Sequence, residues 1–483
     1  MTYETVIGLE VHVELATRSK LFCSCAAHFG AGPNRHVCPA CAGMPGMPPV
    51  TNKKAVELGI AAGLVTNSEI SPVITFDKKN YFYPDLPAGY QITQWFAPIC
   101  KNGWVDIEYC PEGGGESVQK RIRLKQIHIE EDAGKLVHDP RTDTSLVDFN
   151  RTSVPLTEIV SLPDFRCAEE VIAYLEKLRA LLTFAGVSDC KMQEGSMRCD
   201  VNLSVRPVGS ETLGVRTEMK NMNSLRAISR AIAYESARHI EALETGREQL
   251  VQETRRWDDD RNMSFAMREK ETAADYRYFP NPELMPIDIT TEWIERVRAG
   301  LPEPADVKYK RLTGELGLPE YDARLITGSA NLSAIFDAAM ARFPKAKEVA
   351  NWILTELLSI AKGDNKGEDD IAIDGGKFAA VMKLVDDKTV NRTVGKKLLA
   401  KVLEEDIDPA AYVAAHNLGM VSDEGSIEAA VREVLAENPD SVAEYKAGNQ
   451  KVIAFFVGRI MRKTGGKADP ASVNELLIKL LNI

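Results

Sequence analysis

Thr5-Val6-Ile7-Gly8-Leu9-Glu10-Val11-His12-Val13-Glu14-Leu15 is the stretch on which the reading of this chain turns. Side chains of a strand alternate between two faces. Ile7, Leu9, Val11, Val13 and Leu15 therefore share one row, and Glu10, His12 and Glu14 the other. A solvated sheet face would show the same alternation. Three further segments repeat it with equally unusual polar residues. Met197 to Val205 sets Arg198, Asp200, Asn202 and Ser204 opposite an apolar row, and Arg216 to Asn221 sets Glu218 with Lys220. Arg121 to Lys125 leads into Ile127-His128-Ile129-Glu130-Glu131-Asp132. Ordinary surface faces carry Lys, Thr and Gln, whereas these carry carboxylates, imidazoles, amides and arginines. Paired in one sheet they would form a polar floor, on which clustered carboxylates repel unless a cation intervenes. Mg²⁺ prefers oxygen ligands and accompanies phosphates, so it is the expected cation. The pattern points to a Mg-nucleotide site on a curved sheet, with a plain solvated face as the alternative. A P-loop is excluded: Gly134-Lys135, Gly395-Lys396 and Gly466-Lys467 all lack the upstream glycine of that motif.

The bulk numbers set the frame. A chain of 483 residues is expected to hold two to four domains. Its 44% hydrophobic and 27% charged residues are ordinary for a soluble globular protein. The net charge of −11 gives no general attraction to nucleic acid, so any such contact must come from local patches of Lys and Arg. Met1 to Leu15 alternates apolar with charged residues and has no signal-peptide core, and no apolar run is long enough to span a bilayer. The expectation is a cytoplasmic protein with no membrane partner.

Nine cysteines are present, four of them closely spaced. Cys23-Ser24-Cys25 is followed, after 12 residues, by Cys38-Pro39-Ala40-Cys41. Two short knuckles with such a gap fit one tetrahedral thiolate site, with structural Zn²⁺ as the default occupant. Four unrelated buried thiols are the alternative, and His28 and His36 lie near enough in sequence to substitute as ligands. The other five cysteines read as buried free thiols.

Up to about Pro286 strand-like alternation mixes with turns and two clear helices; past about Trp293 the pattern is almost wholly helical. Leu301-Pro302-Glu303-Pro304 and Asp408-Pro409 are natural boundaries. Helices are expected over Glu348 to Ala361, Lys377 to Val385 and Val394 to Leu403. In the tail they are expected over Glu428 to Glu437, Val442 to Lys463 and Ser472 to Leu481. Lys78 to Gln91 mixes aromatics and prolines, and its Tyr81 and Tyr83 could line a pocket, stack on a base or merely pack a loop. Asp148-Phe149-Asn150-Arg151 and Asp275-Tyr276-Arg277-Tyr278-Phe279-Pro280 share that ambiguity. Lys451, Arg459, Arg462, Lys463 and Lys467 form the most basic local cluster, either a grip on nucleic-acid phosphates or a solvated helix face.

With these residues in view, the chain resembles the GatB family of aspartyl/glutamyl-tRNA amidotransferases. The matching stretches are IGLEVHVEL (Ile7 to Leu15), KKNYFYPDLPAGYQI (Lys78 to Ile92), HIEEDAGK (His128 to Lys135) and DFNRTSVPLTEIVS (Asp148 to Ser161). They continue with GSMRCDVNLSVRP (Gly195 to Pro207), TEMKNMNS (Thr217 to Ser224), QETRRW (Gln252 to Trp257) and DYRYFP (Asp275 to Pro280). The resemblance implies an α+β fold. A glutamine-synthetase-like cradle with an antiparallel sheet and a zinc-binding insertion would span 1–294, an all-α domain 295–409 and a YqeY-like tRNA-binding tail 410–483. It implies a carbon–nitrogen ligase with glutamine as amido donor. ATP would phosphorylate the side-chain carboxylate of misacylated Glu-tRNA or Asp-tRNA, and ammonia would then displace phosphate. No G-x-C-x-G elbow or Gly/Ser-rich amidase stretch is present, so ammonia would come from an A subunit, with a small C subunit completing a heterotrimer.

By motif, the resemblance implies Glu10, His12, Glu130, Glu131 and Lys79 as catalytic residues, and His12, Glu131 and Glu218 as Mg²⁺ ligands. Strict alternation puts Glu130, not Glu131, in phase with His128, and a bend there would decide which points inward. Tyr81, Tyr83, Asn150, Arg151, Arg198, Asp200, Asn202, Lys220 and Asn221 are the implied substrate and nucleotide contacts. The competing readings are a zinc-stapled tRNA-binding scaffold, a stand-alone small-molecule ligase, and the related E subunit, for whose extra domain the chain has no room.

Overall fold

The computed structural model describes residues 2–111, 113–139, 141–269, 274–364, 367–419, 424–446, 449–464 and 470–481. The chain forms two compact units, Met1–Pro304 and Ala305–Ile483.

The first unit is built on a 10-stranded sheet. From one edge the order runs Met263–Glu269, Glu253–Asp258, Thr217–Lys220, Met197–Pro207 and the N-terminal strand Tyr3–Glu14. It continues through Pro155–Ser161, Val118–Glu131, Cys100–Lys101 and Glu69–Ile70, while Trp104–Tyr109 also pairs with Val118–Glu131. Neighbours pair antiparallel except Thr217–Lys220 with Glu253–Asp258, which run parallel. The four segments singled out by alternation lie in this one sheet. A strand the alternation argument did not use, Pro155–Ser161, sits between two of them.

Alternation decides which face is buried. Ile7, Leu9, Val11 and Val13 join Ile127, Ile129, Ile159, Val201 and Leu203 in one hydrophobic cluster. Three long helices, rather than two, supply the other half of that cluster. Lys53–Val65 contributes Val56, Leu58 and Ile60, Ala168–Phe184 contributes Val171, Leu175 and Leu178, and Leu225–Thr245 contributes Ile228, Ala231 and Ile232. The first of them contains Gly59 and Gly63, which weaken the helical signal. The close approach explains Gly63, because a Cβ there would lie 2.4 Å from Cys100 Sγ. The Leu225–Thr245 helix starts where the Ser224 hydroxyl accepts from the Ala227 amide and stops at Gly246, whose φ of 62° is left-handed.

The second unit is helical among its described residues, with two hydrophobic clusters. The first gathers Leu312, Phe336, Trp352, Phe378, Leu399 and Val413. The second gathers Val431, Val434, Phe456, Ile460, Val473 and Leu477 from the tail. The helix expected over Glu348 to Ala361 is present, but it widens to a π-helical turn at Trp352–Leu357. The single tail helix expected over Val442 to Lys463 is two, Pro439–Lys446 and Val452–Lys463. Asp408 caps a further helix, Pro409–Ala415, with proline at its first position. No helix among the described residues is long and apolar enough to cross a membrane.

Candidate active site: a carboxylate floor

Register places the polar residues in rows across the strands. His128 faces Glu158, Glu158 faces His12 and His12 faces Arg198, each directly opposite on the neighbouring strand. Glu10 faces Asp200, and Asn202 faces Glu218. Cβ atoms of such pairs lie about 4.5–5.5 Å apart, so functional groups from five strands meet.

Two groups of metal-ligating side chains result. In the first, ligand atoms of His12, Glu130 and Glu158 lie within 4.8 Å of one another. His12 Nε2 is 3.6 Å from Glu158 Oε2 and 3.7 Å from Glu130 Oε1, and His128 Nε2 is 2.9 Å from Glu158 Oε2. The Thr93 hydroxyl donates to Glu130 at 3.2 Å. Burial disfavours a charged His128, but the carboxylates of Glu158 and Glu130 outweigh it and hold the imidazole up at about 10. His12 is raised against burial by the same two groups. Burial likewise opposes ionisation of Glu158, yet the two imidazoles keep it well below the usual carboxylate range.

In the second group Glu10, Asp200 and Glu218 lie within the same 4.8 Å limit. Lys220 pairs with Asp200 and, at 3.2 Å, with Glu218. Asn202 Nδ2 donates to Glu10 at 3.0 Å, and the Thr254 hydroxyl to Glu218 at 2.9 Å. Arg198 reaches away from this group to Asp132 at 2.8 Å.

Glu131 belongs to neither group. It is the last residue of its strand, out of phase with His128, and its carboxylate accepts from the Ile92 amide at 2.9 Å. Burial pushes it up to about 7. It lines a separate cavity of about 150 Å³ together with Cys41, Leu86, Tyr90, Ile92 and Ser153. The structure thus brings Glu130 rather than Glu131 to His12. It adds Glu158, from a strand the alternation argument did not use.

Lys79 sits beside the first group, its ammonium 4.7 Å from the Tyr276 ring centre and 5.4 Å from that of Tyr81. Tyr81 and Tyr278 both lie close enough to Glu130 to feel its charge. Tyr278 stacks on Trp95 with ring centres 4.3 Å apart, and Tyr83 is exposed. Asn221, at a φ of 71°, donates its side-chain amide to the Trp257 carbonyl.

Sγ atoms of Cys23, Cys25, Cys38 and Cys41 also lie within 4.8 Å of one another, and those of Cys38 and Cys41 are 3.8 Å apart. That spacing suits four thiolates about 2.3 Å from a central Zn²⁺. The Cys23 thiol and the Lys20 ammonium beside Cys41 hold the latter well below the usual thiol range. His28 and His36 pack edge-to-face with each other. Among the remaining cysteines, Cys100, Cys190 and Cys199 are buried as expected, but Cys110 is exposed.

The cysteine loop is fastened to the Asp148-Phe149-Asn150-Arg151 turn. Asp148 Oδ1 accepts from the Asn34 amide at 2.9 Å, and Asn150 donates to the Gly32 carbonyl at 2.7 Å. Arg151 donates to the carbonyls of Ala133 and Gly134 and pairs with Asp132 at 3.3 Å. In the tail, Lys451, Arg459 and Arg462 are exposed, whereas Lys463 is held at 2.8 Å by both Glu433 and Glu437. Lys467 lies outside the described residues.

Comparison with known proteins adds independent findings. The family model described as the GatB/GatE catalytic domain matches residues 5–295, and that described as the GatB domain matches residues 334–481. A relative from Lachnoclostridium phytofermentans, named as the B subunit of aspartyl/glutamyl-tRNA(Asn/Gln) amidotransferase, is 52% identical over 480 residues, 99% of each chain. A namesake from Caldicellulosiruptor bescii is 51% identical over 480 residues, 99% of this chain and 98% of its own. One from Thermodesulfovibrio yellowstonii is 46% identical over the whole of both chains.

Proposed function

The chain belongs to the GatB/GatE family, and on that premise we propose that it is the carboxylate-activating subunit of a tRNA-dependent amidotransferase. Its substrates are ATP and tRNA misacylated with glutamate or aspartate. The γ-phosphoryl group of ATP passes to the side-chain carboxylate, ADP leaves, and ammonia then displaces phosphate from the acyl phosphate to give the amide. Ammonia comes from glutamine on a partner A subunit, with a C subunit completing the assembly. The domains proposed with this function are a glutamine-synthetase-like cradle over 1–294, a helical domain over 295–409 and a YqeY-like tail over 410–483.

The observation that carries the reading is the pair of ligand groups on one sheet face. Glu10, Asp200 and Glu218 offer oxygen alone, the donor set Mg²⁺ prefers, while His12, Glu130 and Glu158 offer one nitrogen and two oxygens. A divalent cation held there supplies charge neutralisation for the transferring phosphoryl group. The chain's own residues do the positioning. His128 fixes Glu158, Asn202 and Thr254 aim Glu10 and Glu218, and Lys220 offsets part of the carboxylate charge. Lys79 and the tyrosines around it lie beside the first group, where the acyl end of the tRNA would enter. Lys451, Arg459 and Arg462 are the proposed phosphate contacts of the tail.

The test is ADP release in the presence of glutamyl- or aspartyl-tRNA, Mg²⁺ and the partner subunits, with a Glu158→Gln variant alongside. Release that depends on charged tRNA and collapses in the variant supports the reading. Equal release by both proteins would leave the floor structural and favour a scaffold whose chemistry belongs to a partner.

A further inference from the structure

Lys20 is fully buried. Its Nζ lies 3.6 Å from Cys41 Sγ and 3.1 Å from the Phe149 carbonyl oxygen. Among the described residues no carboxylate comes within ion-pair distance of it, in a unit where even half-buried cations such as Arg238 and Lys220 meet carboxylates. A buried ammonium without an opposite charge is costly, and one carbonyl dipole does not neutralise it.

The four cysteine sulfurs are the charge source at hand. As four thiolates around a divalent ion they carry a surplus of two negative charges, which is itself unfavourable in a part-buried setting. Each charge supplies what the other lacks. We propose that Lys20 is part of the metal site, a buried counter-cation that donates to Cys41 Sγ and offsets the surplus negative charge of a tetrathiolate zinc centre. The proposal rests on the reading of Cys23, Cys25, Cys38 and Cys41 as zinc ligands. Lys20 does more than neutralise. The same ammonium holds the Phe149 carbonyl, so the metal site and the turn carrying Asn150 and Arg151 share one cation. Partners outside the ligand set that orient and charge-balance it commonly change metal affinity by about 10–100-fold.

The test uses the full chain loaded with zinc, as wild type and as Lys20→Met and Lys20→Gln. The readout is the rate of zinc transfer to a chromogenic chelator, with the thiolate-to-metal absorption of the Co²⁺-substituted proteins alongside. Both variants remove the charge, while glutamine still offers an N–H to Phe149. Release at least about tenfold faster in both, with a shifted Co²⁺ band, is the expected result. Wild-type release rates in either folded variant overturn the proposal. If neither neutral variant folds, Lys20→Met is combined with Cys41→His, which lowers the negative charge of the site by one. Zinc-loaded, folded protein is then expected, and failure of that pair overturns the proposal. A wild-type chain that binds no zinc at all is a different result, which removes the metal reading and Lys20's role with it.

Discussion

Two regions of the first unit are built from the same chemistry and come out differently. On the polar face of the sheet stand Glu10, Asp200 and Glu218, with Lys220 as their cation. On the other face, between the sheet and the Leu225–Thr245 helix, Glu235 and Glu253 meet Arg238, Arg255 and His239. The two regions are one residue apart on the Thr217–Lys220 strand: Thr217 Oγ1 bonds His239 Nε2 at 2.9 Å, and Glu218 points to the floor. Glu235 is fully buried yet satisfied, accepting from Arg238 Nε at 3.0 Å and the Ser264 hydroxyl at 2.8 Å. Burial alone would raise its carboxyl, but hydrogen bonds from His239 and Arg238 outweigh that and bring it down to about 2. A network that closes on itself serves the fold. One left with surplus carboxylate calls for a cation from outside, and that surplus is the basis for proposing the floor as the reacting site.

The comparison breaks if the two regions respond alike to the same substitution. Glu158→Gln removes a ligand from the floor and is expected to cut tRNA-dependent ADP formation by about 10²–10³-fold, as for loss of one electrostatic group at a reacting centre. Thermal stability should fall as well, because His12 and His128 lose the carboxylate that balances them, so the loss is read as ADP formation per folded molecule. A loss under tenfold would sink the assignment. Glu235→Gln should do the reverse, costing roughly 3 kcal/mol by removing the buried carboxylate on which Arg238, Arg255 and His239 converge, with ADP formation per folded molecule unchanged. The sign with pH follows from a folded value near 2 against an unfolded value of 4.5. The Glu235 contribution is present above pH 4.5 and is lost as pH falls from 4.5 toward 2. Urea unfolding of both proteins at pH 7 and pH 3 should therefore show a gap that narrows in acid.

Glu131→Gln sharpens the comparison within one strand. Because Glu131 lies outside both ligand groups, ADP formation should fall by less than about tenfold, well short of the Glu158 effect. A loss as deep as that of Glu158→Gln would return Glu131 to the ligand set. The smallest contrast lies in the tail, where Lys463 already has two glutamates while Arg459 and Arg462 meet no carboxylate among the described residues. Replacing both arginines by alanine should raise the KM for tRNA several-fold and flatten its salt dependence by about two units of slope. Lys463→Ala should change neither appreciably.

How far the sequence reached follows from the same distinction. Alternation is a local signal, so the two faces of Thr5 to Leu15 and of Met197 to Val205 were legible without a partner strand. Which strands pair is not local. Pro155–Ser161 carries only one charged residue, Glu158, and its importance appears once the strand is placed between His12 and His128. The choice between Glu130 and Glu131 turned on whether the strand bends at its end, which alternation alone left open. It runs in phase through Glu130, and Glu131 is drawn off by the Ile92 amide. Asn150 and Arg151, substrate contacts by resemblance, donate to loop carbonyls here. Lys20 gave no sequence signal, since a lone lysine is ordinarily a solvated one.

The row His128, Glu158, His12, Arg198 has each member directly opposite the next. A slip of one residue between Tyr3–Glu14 and Met197–Pro207 would turn one strand's polar row into the core and its Val, Ile and Leu row outward. Alignment of the sheet and assembly of the polar floor are therefore one piece of information, written once. A misaligned chain cannot be well folded and inactive, or active and badly folded. Selection for turnover alone would police strand registration, and any assay of activity doubles as a proofreading readout of the fold.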